Sequence, residues 1–95
     1  MEEYRAAREA ELRLVNELQR VDRLRNSAAH LCTLMLADVA KKRMRASSVR
    51  VRVALSEWEL FTAETSRVAA QLEDAVNKRR QLYQVGVDAV SQGEP

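Results

Sequence analysis

Val39-Ala40-Lys41-Lys42-Arg43-Met44-Arg45-Ala46-Ser47-Ser48-Val49-Arg50-Val51-Arg52-Val53 is the stretch on which the fold turns. On either side of it apolar residues recur every three or four positions, the spacing that lines one face of a helix. Within it the pattern lapses into charge, and two adjacent hydroxyls follow that can cap a new helix. Ala46, Ser47 and Ser48 are therefore the expected reversal. They divide the chain into arms of similar length, about 4–45 and 49–85, so the expected fold is all-α: a long, coiled-coil-like antiparallel helical hairpin in a single domain over 1–90. Residues 91–95 are expected to form a disordered tail, and the second arm to fray near Gly86.

In the first arm Tyr4, Ala7, Leu14, Leu18, Val21, Ala28, Cys32, Met35 and Val39 follow the three-four spacing, with Leu24 and Leu31 flanking the seam. Glu9 with Arg13 and Asp38 with Lys42 are acid-before-base pairs four apart, as Asp74 with Lys78 is in the second arm. Asn26-Ser27 offers a cap for a new helix, but no acidic or amide residue stands three places later, so continuity is expected there. The alternative is a three-helix bundle that folds back at Asn26-Ser27 and again near Ser47.

The second arm repeats the spacing through Trp58, Phe61, Val68, Leu72, Ala75, Val76, Leu82 and Tyr83. Ser56-Glu57-Trp58-Glu59 matches a capping box, with Leu55 and Leu60 placed as a staple. A helix starting there would leave the alternating run Val49 to Val53 as a short strand with arginines on one face. The chain offers no second strand to pair with it, so helix is the expectation for 49–53.

Composition agrees with long helices. Of the 95 residues 46% are apolar but only 4% aromatic, so the core must come from Leu, Val, Ala and Met. The glycines are Gly86 and Gly93 and the proline is Pro95, which starves any fold needing many tight turns. The longest apolar run, Ala28 to Ala40, is interrupted by Asp38 and falls short of the ~20 residues of a membrane span. Met-Glu-Glu-Tyr-Arg does not read as a signal peptide, and the lone Cys32 has no disulfide partner within the chain. An intracellular location is expected, cytoplasmic or else nuclear.

The chemistry of an enzyme is hard to assemble from these residues. His30 is the lone histidine, and His30 and Cys32, two apart on a helix, diverge too widely to share a metal or to act as nucleophile and base; both are expected to be packed side chains. No glycine precedes position 86, so there is no phosphate-cradling loop. No catalytic residue, metal or cofactor is expected.

Two features remain. Lys41, Lys42, Arg43, Arg45, Arg50 and Arg52 crowd into one window, with no acidic residue between Asp38 and Glu57. At a hairpin tip they form either a solvated turn or a positive field for an anionic partner, with nucleic acid the alternative partner class. The absence of interleaved aromatics weighs against single-strand stacking. Second, Leu31, Leu34, Met35, Leu36 and Val39 spread apolar surface around most of the helix, and one antiparallel arm covers only one side.

Those five residues, with Trp58 and Phe61, are the expected interface to a second copy (a homodimer) or to other helical proteins in a multi-helix bundle. The expected function is scaffolding or chaperoning of a complex by helix packing. In size, hairpin and near-central tryptophan the chain resembles the WXG type of secreted helical hairpin, yet Leu60 stands where that motif has its glycine. Trp58 also lies in the apolar stripe, where core packing accounts for it.

Overall fold

The structure, a computed structural model, describes residues 2–93 as two helices and a short connection. Helix α1 spans Glu2–Ala40 and helix α2 spans Val49–Gly93. They pack along their length as an antiparallel hairpin 78 Å long and only 17 by 14 Å across. The radius of gyration, 21.5 Å, far exceeds the ~12 Å of a compact domain of this size, so the molecule is a rod.

The three-four spacing accounts for the seam. In α1 the buried or half-buried positions include Tyr4, Ala7, Glu11, Leu14, Leu18, Val21, Arg25, Ala28, Cys32, Met35 and Val39, an unbroken heptad pattern. In α2 the matching heptad positions are Val51, Ala54, Trp58, Phe61, Thr65, Val68, Leu72, Ala75, Arg79, Leu82 and Gly86, all buried or half-buried except Trp58. Small residues at Ala28, Cys32 and Ala54 let the helices approach closely. The Cys32 thiol donates a hydrogen bond to the Ala54 carbonyl oxygen at 3.1 Å, side chain against opposing backbone.

The three-helix alternative does not occur, because α1 runs unbroken through Asn26-Ser27. Both residues are exposed, the seam continues on either side at Val21 and Ala28, and each costs a helix only a fraction of a kcal/mol. The run Val49 to Val53 is helical, with Val51 in the seam and Val49 and Val53 outside. The Ser56 capping box therefore lies inside a helix. Nor does α2 fray near Gly86: a lone glycine costs about 1 kcal/mol, less than uninterrupted helix on both sides supplies. Ser91-Gln92-Gly93, expected in a disordered tail, are its last described residues, while Glu94 and Pro95 lie outside the described residues.

Ion pairs within helices are spaced differently from the expectation. Among the described residues they are three apart, in Glu17–Arg20, Asp22–Arg25, Glu64–Arg67 and Arg8–Glu11, and the expected four-apart pairs are not formed. The three pairs exposed on both sides, Glu17–Arg20, Asp22–Arg25 and Glu64–Arg67, contribute little to stability.

The reversal occupies residues 41–48, wider than Ala46 to Ser48 alone. At the end of α1 the Arg43 amide bonds the Asp38 carbonyl at 2.9 Å and the Lys42 amide bonds the Val39 carbonyl at 3.0 Å, the two bonds of a Schellman cap. That cap needs a left-handed residue, and Lys42 takes the position with φ 59°. Glycine adopts this conformation without a Cβ penalty. Lys42→Gly is expected to stabilise the hairpin by about 1 kcal/mol in urea unfolding; a lower midpoint would show that the lysine side chain contributes more than its strain. Ser48 then opens α2, its carbonyl accepting from the Arg52 amide at 3.1 Å.

Candidate interaction surface

A two-helix rod can bury only a thin core. Among the described residues seven apolar ones are buried, Ala7, Val21, Ala28, Cys32, Val51, Ala54 and Val68, whereas fourteen large apolar side chains are exposed. The imbalance is concentrated toward the tip. Leu34 is 52% and Leu36 50% exposed, on opposite flanks of the seam as their two-residue separation requires. Leu31 is exposed beside Leu34, while Met35, Val39 and Phe61 are half-buried within the seam. Trp58 holds a seam position but remains well exposed.

The seam and one flank are continuous. Leu31 and Met35 of α1, with Val49, Val53 and Ala54 of α2, line a groove of about 260 Å³. Val49, Val53 and Leu60 line the adjoining one of about 420 Å³. Val49, Val53 and Leu60 were not among the expected interface residues, although the seven-residue step from Val53 to Leu60 marks them as one stripe of α2.

Toward the middle of the rod the same flank becomes charged. Glu17 lies seven residues before Leu24, and Arg67 seven after Leu60. Arg20 donates through Nε to Glu17 at 3.1 Å, and Arg67 donates to Glu64 at 2.8 Å. These hydrogen bonds hold both carboxyls below the usual glutamate range, and across the seam Arg67 adds to the lowering at Glu17 and Arg20 to that at Glu64. The four charges thus form one cross-helix cluster that closes the apolar face.

At the tip, Lys41, Lys42, Arg43 and Arg45 lie in the connection and Arg50 and Arg52 in the first turn of α2. Among the described residues none of the six has a carboxylate within 4.0 Å. No acidic residue occupies that first turn, and the helix dipole disfavours cations there. Val39, Met44 and Ala46 line an open hollow of about 710 Å³ among the loop's basic residues.

The open end carries a pair that the spacing of apolar residues passes over. Glu11 and Arg79 fill seam positions skipped in each arm, and the fold brings them together: the Arg79 guanidinium donates to the Glu11 carboxylate, which is 9% exposed. The hydrogen bond to Glu11, with a smaller contribution from Tyr4, raises the Arg79 pKa despite burial. Tyr4 and Tyr83 pack beside the pair with ring centroids 6.4 Å apart. An acid and a base standing at skipped seam positions of opposite arms were the sequence signal for it.

Cys32 is free and buried in the seam, whereas His30 is exposed, not packed as expected. Its position faces away from the second helix, so nothing there covers it. Among the described residues no group of three or more His, Cys, Asp or Glu side chains is placed to hold a metal ion. Among the described residues no helix is long and apolar enough to cross a membrane. Compared with protein-family models, curated proteins and solved structures, the chain matches none.

Proposed function

We propose that the chain is a non-enzymatic subunit that scaffolds or chaperones a complex by packing the outer faces of its hairpin against other helices. The observation that supports this reading is the excess of exposed over buried large apolar side chains, densest around Leu31, Leu34, Val53 and Leu60. Each leucine-sized group removed from water contributes about 1.5–3 kcal/mol, so several together are enough to drive association. The lone buried thiol fits a reducing compartment, cytoplasm or nucleus.

Leu34→Glu and Leu36→Glu, made separately, test the reading. Both side chains are exposed in the single hairpin, so each variant is expected to keep its helical far-UV spectrum. At least one should lose its assembly, because a carboxylate buried unpaired between chains costs several kcal/mol. Unchanged assembly mass and unchanged partner retention in both variants would remove the basis of the proposal.

A second reading, nucleic-acid binding by the tip, is favoured by one observation: six cations without a carboxylate partner among the described residues. A phosphate binder weakens steeply with salt, so a salt titration against random duplex separates it from helix packing.

A further inference from the structure

We infer that the occupant of the Leu31–Val53 face is a second copy of this chain, docked antiparallel so that the basic tip of each hairpin lies over Glu17 and Glu64 of the other. The inference rests on the helix-packing reading above and names the partner.

Three observations carry it. The first is continuity: Leu24, Leu31 and Leu34 of α1 with Val49, Val53 and Leu60 of α2 extend the hairpin's own seam outward, since Met35 and Ala54 line the same groove as Leu31 and Val53. A helix pair laid on this face continues the core into a four-helix bundle.

The second is charge. Two hairpins side by side in parallel would bring two sets of six uncompensated cations together. A two-fold axis at the level of Leu31 and Val53 separates them. Lys41 lies ten residues beyond Leu31, about 15 Å at 1.5 Å per residue, and Arg45 slightly farther. In the other direction Glu17 lies about 21 Å from Leu31 and Glu64 about 16 Å from Val53. The axis therefore exchanges the tip with the level of the two glutamates. Glu17 and Glu64 are paired with Arg20 and Arg67 in a cluster of balanced charge, so each tip meets a level without excess cations, where the carboxylates keep acceptor capacity for a second donor.

The third is area. Overlap from the glutamate level to the tip is about 40 Å long and the rod is 17 Å wide, roughly 700 Å² per copy before side-chain relief is counted. Stable interfaces bury about 800 Å² per partner, with a lower limit near 600 Å². The face is large enough for a stable dimer and too apolar to be left in water by choice of sequence.

The experiment is light-scattering or sedimentation mass of the full chain across concentration, with paired variants. The wild type is expected at twice the 10.8 kDa chain mass. Leu31→Glu and Leu60→Glu should each weaken the dimer about hundredfold or more, while Leu12→Glu, exposed on the other flank, should leave it intact. Leu31→Ser replaces Leu31→Glu if the latter loses its helical signal.

Orientation is read by charge exchange. A chain with Glu17→Lys and Glu64→Lys, mixed with one carrying Lys41→Glu and Arg45→Glu, should form the mixed dimer in preference to either homodimer. A monomeric wild type overturns the second-copy inference, with or without a mass shift on adding duplex, while the helix-packing function is judged separately by the Leu34 and Leu36 variants. A dimer that survives Leu31→Glu and Leu60→Glu, or one without preference for the charge-exchanged mixture, overturns the assigned face or its orientation.

Discussion

Val68→Asp is expected to abolish the hairpin, leaving a chain with little helical signal at 25 °C. Val68 is the most deeply buried side chain among the described residues, at 0% exposure. The Cys32–Ala54 and Glu11–Arg79 contacts bracket it and set it at the level of Leu18 and Val21. Burying a valine contributes about 1.5–3 kcal/mol, and placing an unpaired carboxylate there costs several kcal/mol more.

The rod has little reserve against such a loss. Its buried residues are mainly Ala, Val and Cys, and domains of ordinary stability have only about 5–15 kcal/mol in total. Neither arm is secure without the other, because most helix stability in proteins comes from packing of the apolar face. Unfolding should therefore be cooperative, with both helices lost together. Ala69→Asp, at the exposed neighbouring position, is the control and should cost no more than the helix-propensity difference of about 0.7 kcal/mol. A Val68→Asp variant that melted with the wild type would show that Val68 does not lie in the seam.

Most of the fold was legible because periodicity and the scarcity of breakers point the same way. Ala7, Val21, Ala28, Cys32 and Val68, all expected in the stripes, are buried. The choice of helix for 49–53 followed from the lack of a strand partner, and packing confirms it through Val51, which is buried while its neighbours Val49 and Val53 are not.

What the sequence hid has physical causes. Apolar spacing cannot register a charged residue in the seam, so Glu11, Arg25 and Arg79 went unseen. The cap at Lys42 was invisible because the residue that signals a left-handed helix end is glycine, and here a lysine holds the position. The apolar face was half legible: the density of leucines in 31–36 announced it, but its α2 side depends on which turn of α2 opposes Leu31, a matter of register that only the folded hairpin fixes.

The Glu11–Arg79 pair, formed across the seam from opposite arms, is placed to favour one register. Heptad seams made of small apolar residues tolerate slippage by whole turns, and the small residues at Ala7, Ala28, Ala54 and Ala75 make this seam permissive. An acid on one arm and a base on the other satisfy each other in one alignment, and a slip leaves a nearly buried carboxylate without its hydrogen-bonded partner, with only the exposed Arg8 3.8 Å away. Arg79→Met is therefore expected to lower the melting temperature by more than the loss of an exposed intrahelical pair, such as Arg67→Met, because Glu11, at 9% exposure, is then left with only the long 3.8 Å contact to the exposed Arg8. Glu11→Leu combined with Arg79→Met should recover the loss and can exceed the wild type, since well-packed apolar residues often replace an inward ion pair without cost.

The double variant is expected to lose something melting does not read, namely the single alignment. Cys32 reports it, because its thiol is buried and bonded to the Ala54 carbonyl only in the native register. A thiol reagent under native conditions should label Cys32 faster in the double variant than in the wild type, even where the double variant melts higher. Equal labelling rates would mean that the loop and the apolar seam already fix the register, and that the pair contributes stability alone.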